Sequence, residues 1–396
     1  MHEMGVMSHA AVHVDLDGNP ERVPKPSREA ELRRVAAEGR EGAGGLGGVP
    51  SAGSDGPAEP AGSARDRQQS ASPPSRGRVS DLISLVETEM HLVETWLAKQ
   101  LDSPVGRIPE VGGHLLGAGG KRLRPLLSVL SARATETDLD QAVAAGCAAE
   151  LIHTATLFHD DVVDNGSVRR GRPAARMIYG NGVAVLVGDF CLARGLDLVA
   201  STGSMAMVRS LAATVTEMAE GEVAQLEGAG NADLTIPAYL RVVDRKTASL
   251  VAWCARVGGL LPSALDQALG RFGRALGRAF QIIDDVLDCT SDERTSGKSA
   301  GRDLQEGKLT LPVLLACDTD PDLRSRIRRA LGELGIAADS VHDLLTAVRA
   351  AGGVDRARKR AMAFADEAIA ELSALPCSRY RDGLGELCRL AVDRVA

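Results

Sequence analysis

Three observations predict an all-α protein. From Val79 onward apolar residues recur at every third or fourth position, beginning with Leu82, Leu85, Val86, Met90 and then Leu92 or Val93, which is the period of helices that each bury one stripe. Two acidic clusters, HDDVVD at His159–Asp164 and IDDVLD at Ile283–Asp288, space their aspartates i, i+1 and i+4 inside apolar runs, a spacing that a helix turns toward one side. Apolar residues make up 44% of the chain and aromatic ones only 3%, so a sizeable core is available and must be built from Leu, Val and Ala.

The 396 residues exceed one typical domain, and the excess lies at the front. Residues 1–78 are rich in Gly, Ala, Ser, Pro and Arg, with almost no large apolar residue after Leu46. Such a low-complexity stretch cannot bury enough surface to offset the entropy of ordering it, so a disordered N-terminal extension is expected there and one domain over 79–396. A formal charge of −7 argues against nucleic acid as a partner. The seven cysteines form no CxxC pair, which reads as reduced, mostly buried thiols in a cytoplasmic protein. No apolar run is long enough to span a bilayer, and no signal peptide opens the chain.

In order, the first helix starts at Val79 with Ser80 as its candidate cap. A second begins near Pro109, carries Val111, Leu115 and Leu116, and ends in the glycines of Gly117–Gly120. Lys121, Arg122 and Arg124 follow, where glycine lets a ligand approach the backbone and cations can hold a diphosphate. The helix bearing the first acidic cluster puts Asp160 and Asp164 about 40° apart on one face, with Asp161 about 100° round and His153 about 20° from the same line. Asn165–Ser167 ends that helix and delivers Arg169 and Arg170, two neighbours that must point to different partners. Gly180–Ala200 and Met205–Gln225 continue the helical pattern, and Glu220, Glu222 and Gln225 read as braces.

Tyr239–Val257 is a further helix containing Lys246 and Thr247; a threonine that bonds back to a carbonyl would bend it. The second acidic helix follows, with Gln281 one turn ahead of Asp284. Ser291–Lys308 is a glycine-studded polar loop whose Lys298 and Lys308 suit a lid over phosphate. Amphipathic helices with arginine-rich, solvated faces complete the chain. One acidic helix face alone is ordinarily just wet. Two such clusters about 120 residues apart would repel each other unless cations lie between them, and hard divalent ions, Mg²⁺ above all, bridge carboxylates to substrate phosphates.

From Val79 to the C-terminus the chain resembles the trans-prenyl diphosphate synthases. GGKRLRP (Gly119–Pro125), HTATLFHDDVVD (His153–Asp164), RRG (Arg169–Gly171), GDF (Gly188–Phe190), GEVAQL (Gly221–Leu226), KTA (Lys246–Ala248), FQIIDDVLD (Phe280–Asp288) and GK…D…GK…TLP (Gly297–Pro312) stand in that family's order. The resemblance implies an isoprenoid synthase-type helical bundle around a central cavity and an isologous homodimer. It implies repeated condensation of an allylic prenyl diphosphate with isopentenyl diphosphate. All six aspartates, Asp160, Asp161, Asp164, Asp284, Asp285 and Asp288, become catalytic-site residues together with Lys246, Thr247 and Gln281, and Asp160, Asp164 and Asp284 become ligands of Mg²⁺, three ions per site. Lys121, Arg124, His153 and Arg170 are assigned to isopentenyl diphosphate, and Arg169, Lys246 and Lys298 to the allylic diphosphate. Thr247, Gln281 and Lys308 complete the substrate-binding set.

By the same resemblance Thr156 and Ala155, four and five residues before Asp160, flank the growing chain. Both are small where short-chain enzymes carry an aromatic floor, so a long-chain product of octaprenyl to decaprenyl size, suited to quinone side chains, is expected. Such a product would draw the enzyme to a membrane surface. The intact second DDxxD and the isopentenyl diphosphate set argue against a terpene cyclase. A short-chain farnesyl or geranylgeranyl diphosphate synthase and a non-catalytic regulatory partner subunit are the remaining alternatives.

Overall fold

A computed structural model describes residues 79–117, 122–257, 260–290, 300–332 and 335–393. The expected disordered extension (1–78), Lys121 and Lys298 lie outside the described residues. The N-terminal half comprises α1 (Val79–Ser84), α2 (Glu87–Gln100), α3 (Arg107–Leu116), α4 (Leu123–Thr135) and α5 (Leu139–Val163). A hairpin of β1 (Val168–Arg169) and β2 (Arg172–Pro173) leads to α6 (Ala175–Tyr179), α7 (Asn181–Ala200) and α8 (Met205–Gly228). Next come α9 (Ile236–Val243), a π turn (Asp244–Ala248), α10 (Ser249–Ala255), α11 (Ser263–Thr290) and α12 (Arg302–Gln305). The chain closes with α13 (Leu311–Thr319), α14 (Pro321–Ala330), α15 (Ala338–Ala350), α16 (Gly353–Glu371) and α17 (Arg379–Val392).

The all-α expectation holds, with two small departures: the β1–β2 hairpin and a second one pairing Leu331–Gly332 with Gly335–Ile336. Boundaries shift for local reasons. The helix expected from Val79 is cut in two because Leu85 and Val86 tighten to i−3 bonds, Leu85 N to Leu82 O at 3.2 Å and Val86 N to Ile83 O at 3.0 Å. The second helix starts at Arg107, which leaves Pro109 in its first turn, where no amide bond is lost. Arg356, expected to be solvated, donates to the carbonyls of Leu315 at 2.7 Å and Ala351 at 3.0 Å, so it ties α16 to the end of α13.

Two helices organise the bundle. α5 is capped by Asp138, whose side chain accepts from Gln141 N at 3.0 Å. Its first half is alanine-rich and buried on nearly every side (Ala142, Ala144, Ala145, Ala148 and Ala149), which lets α4, α7 and α2 pack closely around it. α11 is the second, packed against α16, α10 and the π turn. The acidic clusters lie at the C-terminal ends of these two helices. No described helix is long and apolar enough to cross a membrane.

Candidate active site

The three aspartates of the first cluster have separate surroundings. Asp161 is fully buried and turned into the protein, where Arg169 grips its Oδ1 with Nε at 2.8 Å and Nη2 at 2.6 Å. Its Oδ1 is thereby committed to Arg169, whereas its Oδ2 is buried with no partner among the described residues. Asp164 is the C-cap of α5 and bonds Lys308 Nζ at 2.8 Å. Asp160 faces Lys246, Glu222, Asp164 and Arg169. Burial pushes its carboxyl up to about 6; Lys246 and Arg169 oppose that shift, and Glu222 and Asp164 add to it. His159, one residue earlier, leans over Gly188 and meets Asp189 Oδ1 at 3.2 Å, the first two residues of the GDF motif.

Arg169 and Arg170 diverge because the hairpin turns between them. Arg169 pairs with Arg172 across the strands, while Arg170 (φ 51°) and Gly171 (φ 74°) form the two-residue loop, both in the left-handed region that this tight turn requires. Arg170 reaches Leu115 O at 3.4 Å. It lies near Arg122, Arg169, Arg124 and Glu150, and burial lowers its pKa. His153 lies in the same basic group: burial, with Arg124, Arg170 and Arg169 around it, pushes its imidazole well below the ordinary range. Arg124 Nε is buried with no protein partner among the described residues. Convergent cations of this kind suit a multiply charged anion such as a diphosphate. Arg122 is excluded from that task because it braces α2, bonding Glu94 at 2.7 Å, Glu150 at 3.2 Å and Leu116 O at 3.0 Å.

Lys246 and Thr247 sit in the π turn, a helical irregularity common at functional sites. Glycines let neighbouring helices press on it: a Cβ at Gly221 would lie 2.6 Å from Lys246 N, and one at Gly277 would lie 2.5 Å from Ala248 Cα. Arg278 clamps Asp244 with bonds of 2.5 and 2.8 Å. Thr247 does not bond back to its own helix as expected. Ser249 does, donating to Arg245 O at 2.6 Å, and this frees Thr247 Oγ1 to donate to Gln281 Oε1 at 2.8 Å. Lys246 Nζ binds Gln225 Oε1 at 2.8 Å and Glu222 Oε2 at 2.5 Å, which gives both residues of the GEVAQL segment their role.

In the second cluster Asp284 is half-buried, Asp285 is buried, and Asp288 turns toward the following segment. Gln281 Nε2 donates to Asp285 Oδ1 at 2.9 Å, and the Tyr239 hydroxyl donates to Oδ2. Asp288 accepts from the backbone N–H of Arg302 at 3.2 Å and Asp303 at 3.3 Å, so it caps α12. Burial raises Asp285 to about 7 and raises Asp288 as well. The described part of the expected lid is ordered structure: Lys308 is fixed by Asp164 and by Glu306 at 2.8 Å, and its amide donates to Asp303 O at 2.8 Å. A cavity of about 130 Å³ lies here, lined by Gln225, Tyr239, Lys246, Thr247, Gln281 and Lys308 among others. Ala155, buried, and Thr156, which donates to His153 O at 2.8 Å, are not among its lining residues.

Sequence reasoning missed Tyr239, Glu306 and the role of Asp303. For Tyr239 a signal existed, since it stands seven residues before Lys246 and so two turns up the same face.

Among the described residues no three His, Cys, Asp or Glu side chains converge as a ready-made metal cage. The site still fits Mg²⁺, which takes one or two carboxylates and completes its shell with water and substrate phosphate. Its donors are hard oxygens, and Glu222 Oε1 beside Lys246 is buried without a partner. Asp160, Asp164 and Asp284 are the residues that would hold the ion.

A pH dependence follows. Asp160 and Asp285, raised from 3.8 to about 6 and about 7, keep their protons more tightly folded than unfolded. The stabilisation they contribute is complete below the unfolded value and is lost as pH rises through the folded ones. The thermal midpoint of metal-free protein is therefore expected to fall from about pH 5 to about pH 8, and magnesium should raise it at the upper end only, where the carboxylates are ionised. Melting curves of Asp160→Asn across that range should show a shallower fall; an unchanged slope would remove the assignment.

The polyprenyl synthetase family model matches residues 106–348. The chain is 38% identical over 319 residues to the all-trans-nonaprenyl-diphosphate synthase (geranyl-diphosphate specific) of Rhodobacter capsulatus, covering 80% of this chain and 98% of that one. It is 39% identical over 313 residues to the octaprenyl diphosphate synthase of Escherichia coli, covering 78% and 97%. The fold matches a polyprenyl synthase crystal structure from Caulobacter crescentus, complexed with calcium and isoprenyl diphosphate, with a TM-score of 0.77 and 39% identity, over 82% of this chain and all of that one. With two acidic helix ends, a basic cluster and this similarity along most of its length, the chain belongs to the trans-prenyl diphosphate synthase family of enzymes, on the side of its long-chain members.

Proposed function

We propose that this prenyltransferase condenses an allylic prenyl diphosphate repeatedly with isopentenyl diphosphate to make a long-chain all-trans polyprenyl diphosphate, of octaprenyl to decaprenyl size, for quinone side chains. The observation that carries the reaction is the meeting of a basic group (Arg124, His153, Arg170) with two acidic helix ends beside Lys246 and Arg169. The first group takes isopentenyl diphosphate, assisted by Lys121. Arg169 and Lys246, with Lys298 and Lys308, orient the allylic diphosphate. Bound Mg²⁺ supplies charge neutralisation that makes the diphosphate a better leaving group. Thr247 and the π turn present oxygen dipoles to developing positive charge, and the apolar walls exclude water from it. The departing diphosphate accepts the proton lost after coupling. Small side chains at Ala155 and Thr156, with the names of the most similar relatives, support the long product.

We assign the catalytic domain to residues 79–396 and read residues 1–78 as an appended extension. Deleting 1–77 is expected to leave turnover and thermal midpoint nearly unchanged, and a large drop in either would make that segment part of the fold. Exposed Met177 (55%), Ile178 (51%) and Leu186 (67%) on α6 and α7 support a homodimer. A cytoplasmic enzyme drawn to the membrane surface by its product fits the absence of a spanning helix among the described residues.

The test is an assay of purified protein with isopentenyl and farnesyl diphosphates, with magnesium or with EDTA, followed by chain-length analysis. Long products in magnesium alone are expected. A farnesyl or geranylgeranyl product as the end point would sink the long-chain reading, and no incorporation at all would favour a regulatory subunit.

A further inference from the structure

Tyr239 has no assigned role, yet it closes a chain of hydrogen bonds that ends in the reaction cavity. It is 6% exposed, and its hydroxyl donates to Asp285 Oδ2. Asp285 Oδ1 accepts from Gln281 Nε2 at 2.9 Å, and Gln281 Oε1 accepts from Thr247 Oγ1 at 2.8 Å. Tyr239, Asp285, Gln281 and Thr247 all line one cavity.

The chain has a direction. A carboxylate only accepts, so with the phenol on one oxygen Asp285 calls for the amide N–H of Gln281 on the other. Gln281 then has its carbonyl for Thr247, which must donate to it. With its hydrogen committed backward, the threonine hydroxyl can offer the cavity only oxygen lone pairs. Remove the phenol hydroxyl, and Asp285 Oδ2 is left buried without that donor, which costs enough to make the side chains rearrange. Asp285 can then swing toward another donor and let go of Gln281, which no longer fixes the direction of the Thr247 hydroxyl.

We propose that Tyr239 is a positioning residue for prenyl transfer: through Asp285 and Gln281 it holds the Thr247 hydroxyl with its lone pairs toward the developing carbocation. This rests on the prenyl-transfer reading above. The effect belongs in kcat, because the diphosphates are assigned to the cationic side chains around the cavity, whereas this chain of hydrogen bonds acts on the charge that develops during transfer.

The experiment is a double-mutant cycle on the full chain with magnesium, isopentenyl diphosphate and farnesyl diphosphate. Tyr239→Phe is expected to lower kcat about tenfold to a hundredfold, the scale set by leaving one buried acceptor without its donor, with both KM values within about twofold. In a Thr247→Val background the same change should cost less than about twofold, since its target is gone. Thr247→Ser, which keeps the hydroxyl, should restore the dependence on Tyr239. Wild-type kcat in Tyr239→Phe, or an equal loss in both backgrounds, overturns the role. Should Tyr239→Phe fail to melt cooperatively, 3-fluorotyrosine can replace tyrosine throughout. The chain has only three tyrosines, and Tyr179→Phe with Tyr380→Phe leaves Tyr239 as the sole site. A kcat change of at least about twofold that vanishes in Thr247→Val supports the role, and none overturns it. Normal wild-type turnover with an indifferent Tyr239 defeats this inference alone, whereas a wild type that incorporates no isopentenyl diphosphate defeats the prenyl-transfer reading and this role with it.

Discussion

Asp160→Ala and Asp284→Ala are each expected to cut turnover about a thousandfold with the helical fold intact, because losing a metal ligand forfeits several kcal/mol of charge stabilisation in the transition state. The surroundings of the six aspartates explain why these two are the sharpest probes. Asp161 is locked to Arg169, Asp285 to Tyr239 and Gln281, and Asp288 to the amides that open α12. Removing any of those leaves buried donors unsatisfied, so it damages the fold together with the chemistry. Asp160 is half-buried and its carboxyl is raised by burial, so its removal relieves the folded state of a costly charge. Its thermal midpoint without metal should therefore not fall. Turnover near the wild-type rate in either variant, at saturating magnesium and with unchanged circular dichroism, would defeat the reading of two facing metal sites.

The second large effect concerns product length. Wild type should release octaprenyl to decaprenyl diphosphate, and Ala155→Phe should release much shorter chains while the first condensation still runs. Ala155 lies five residues before Asp160, so its side chain is about 7.5 Å down the helix axis from the reacting end. A phenyl ring there meets the growing chain after a few isoprene units. Because Ala155 is 2% exposed, the ring also crowds the core, and overpacking commonly costs about 1–3 kcal/mol. Thr156→Phe, at a half-buried position, makes the same test with less strain. Chain-length analysis beside melting curves separates the two effects. An unchanged long product from both variants, each folded, would place the tunnel elsewhere.

The fold class was legible because it is written in local spacing, and the same spacing picked out the residues proposed for the site. Helical period survives any packing, and aspartates at i and i+4 share a face in whatever bundle they join. Partners could not be read, because they depend on which helices meet. Nothing in HDDVVD says that Asp161 turns inward to Arg169, and nothing in the arginines says that Arg122 braces Glu94 and Glu150 while Arg124 Nε is buried with no partner among the described residues. The same holds for Thr247: its capacity to bond was clear from the sequence, but its partner lies on α11, 34 residues away. Ser249 took the back-bonding role because it falls four residues after Arg245 at the turn. Tyr239 was legible by spacing alone, but a tyrosine in an apolar helix reads as core until Asp285 is seen against it.

The π turn bears on what kinds of change this chain can accept. A regular helix advances about 100° per residue, and a turn wound with five-residue closure inserts one step beyond the regular count. Everything after Asp244–Ala248 is thus out of phase with what precedes it. Upstream, Tyr239 points to the cavity; downstream, Leu250, Trp253 and Cys254 point to the core. The length of this segment is therefore information in its own right. Deleting one residue would heal the helix and rotate either the catalytic wall or the core out of place, although no single side chain need be lost. Substitutions here can be graded in effect, but a change of length cannot, and any transplant of Lys246 and Thr247 into another bundle must carry the slip with them.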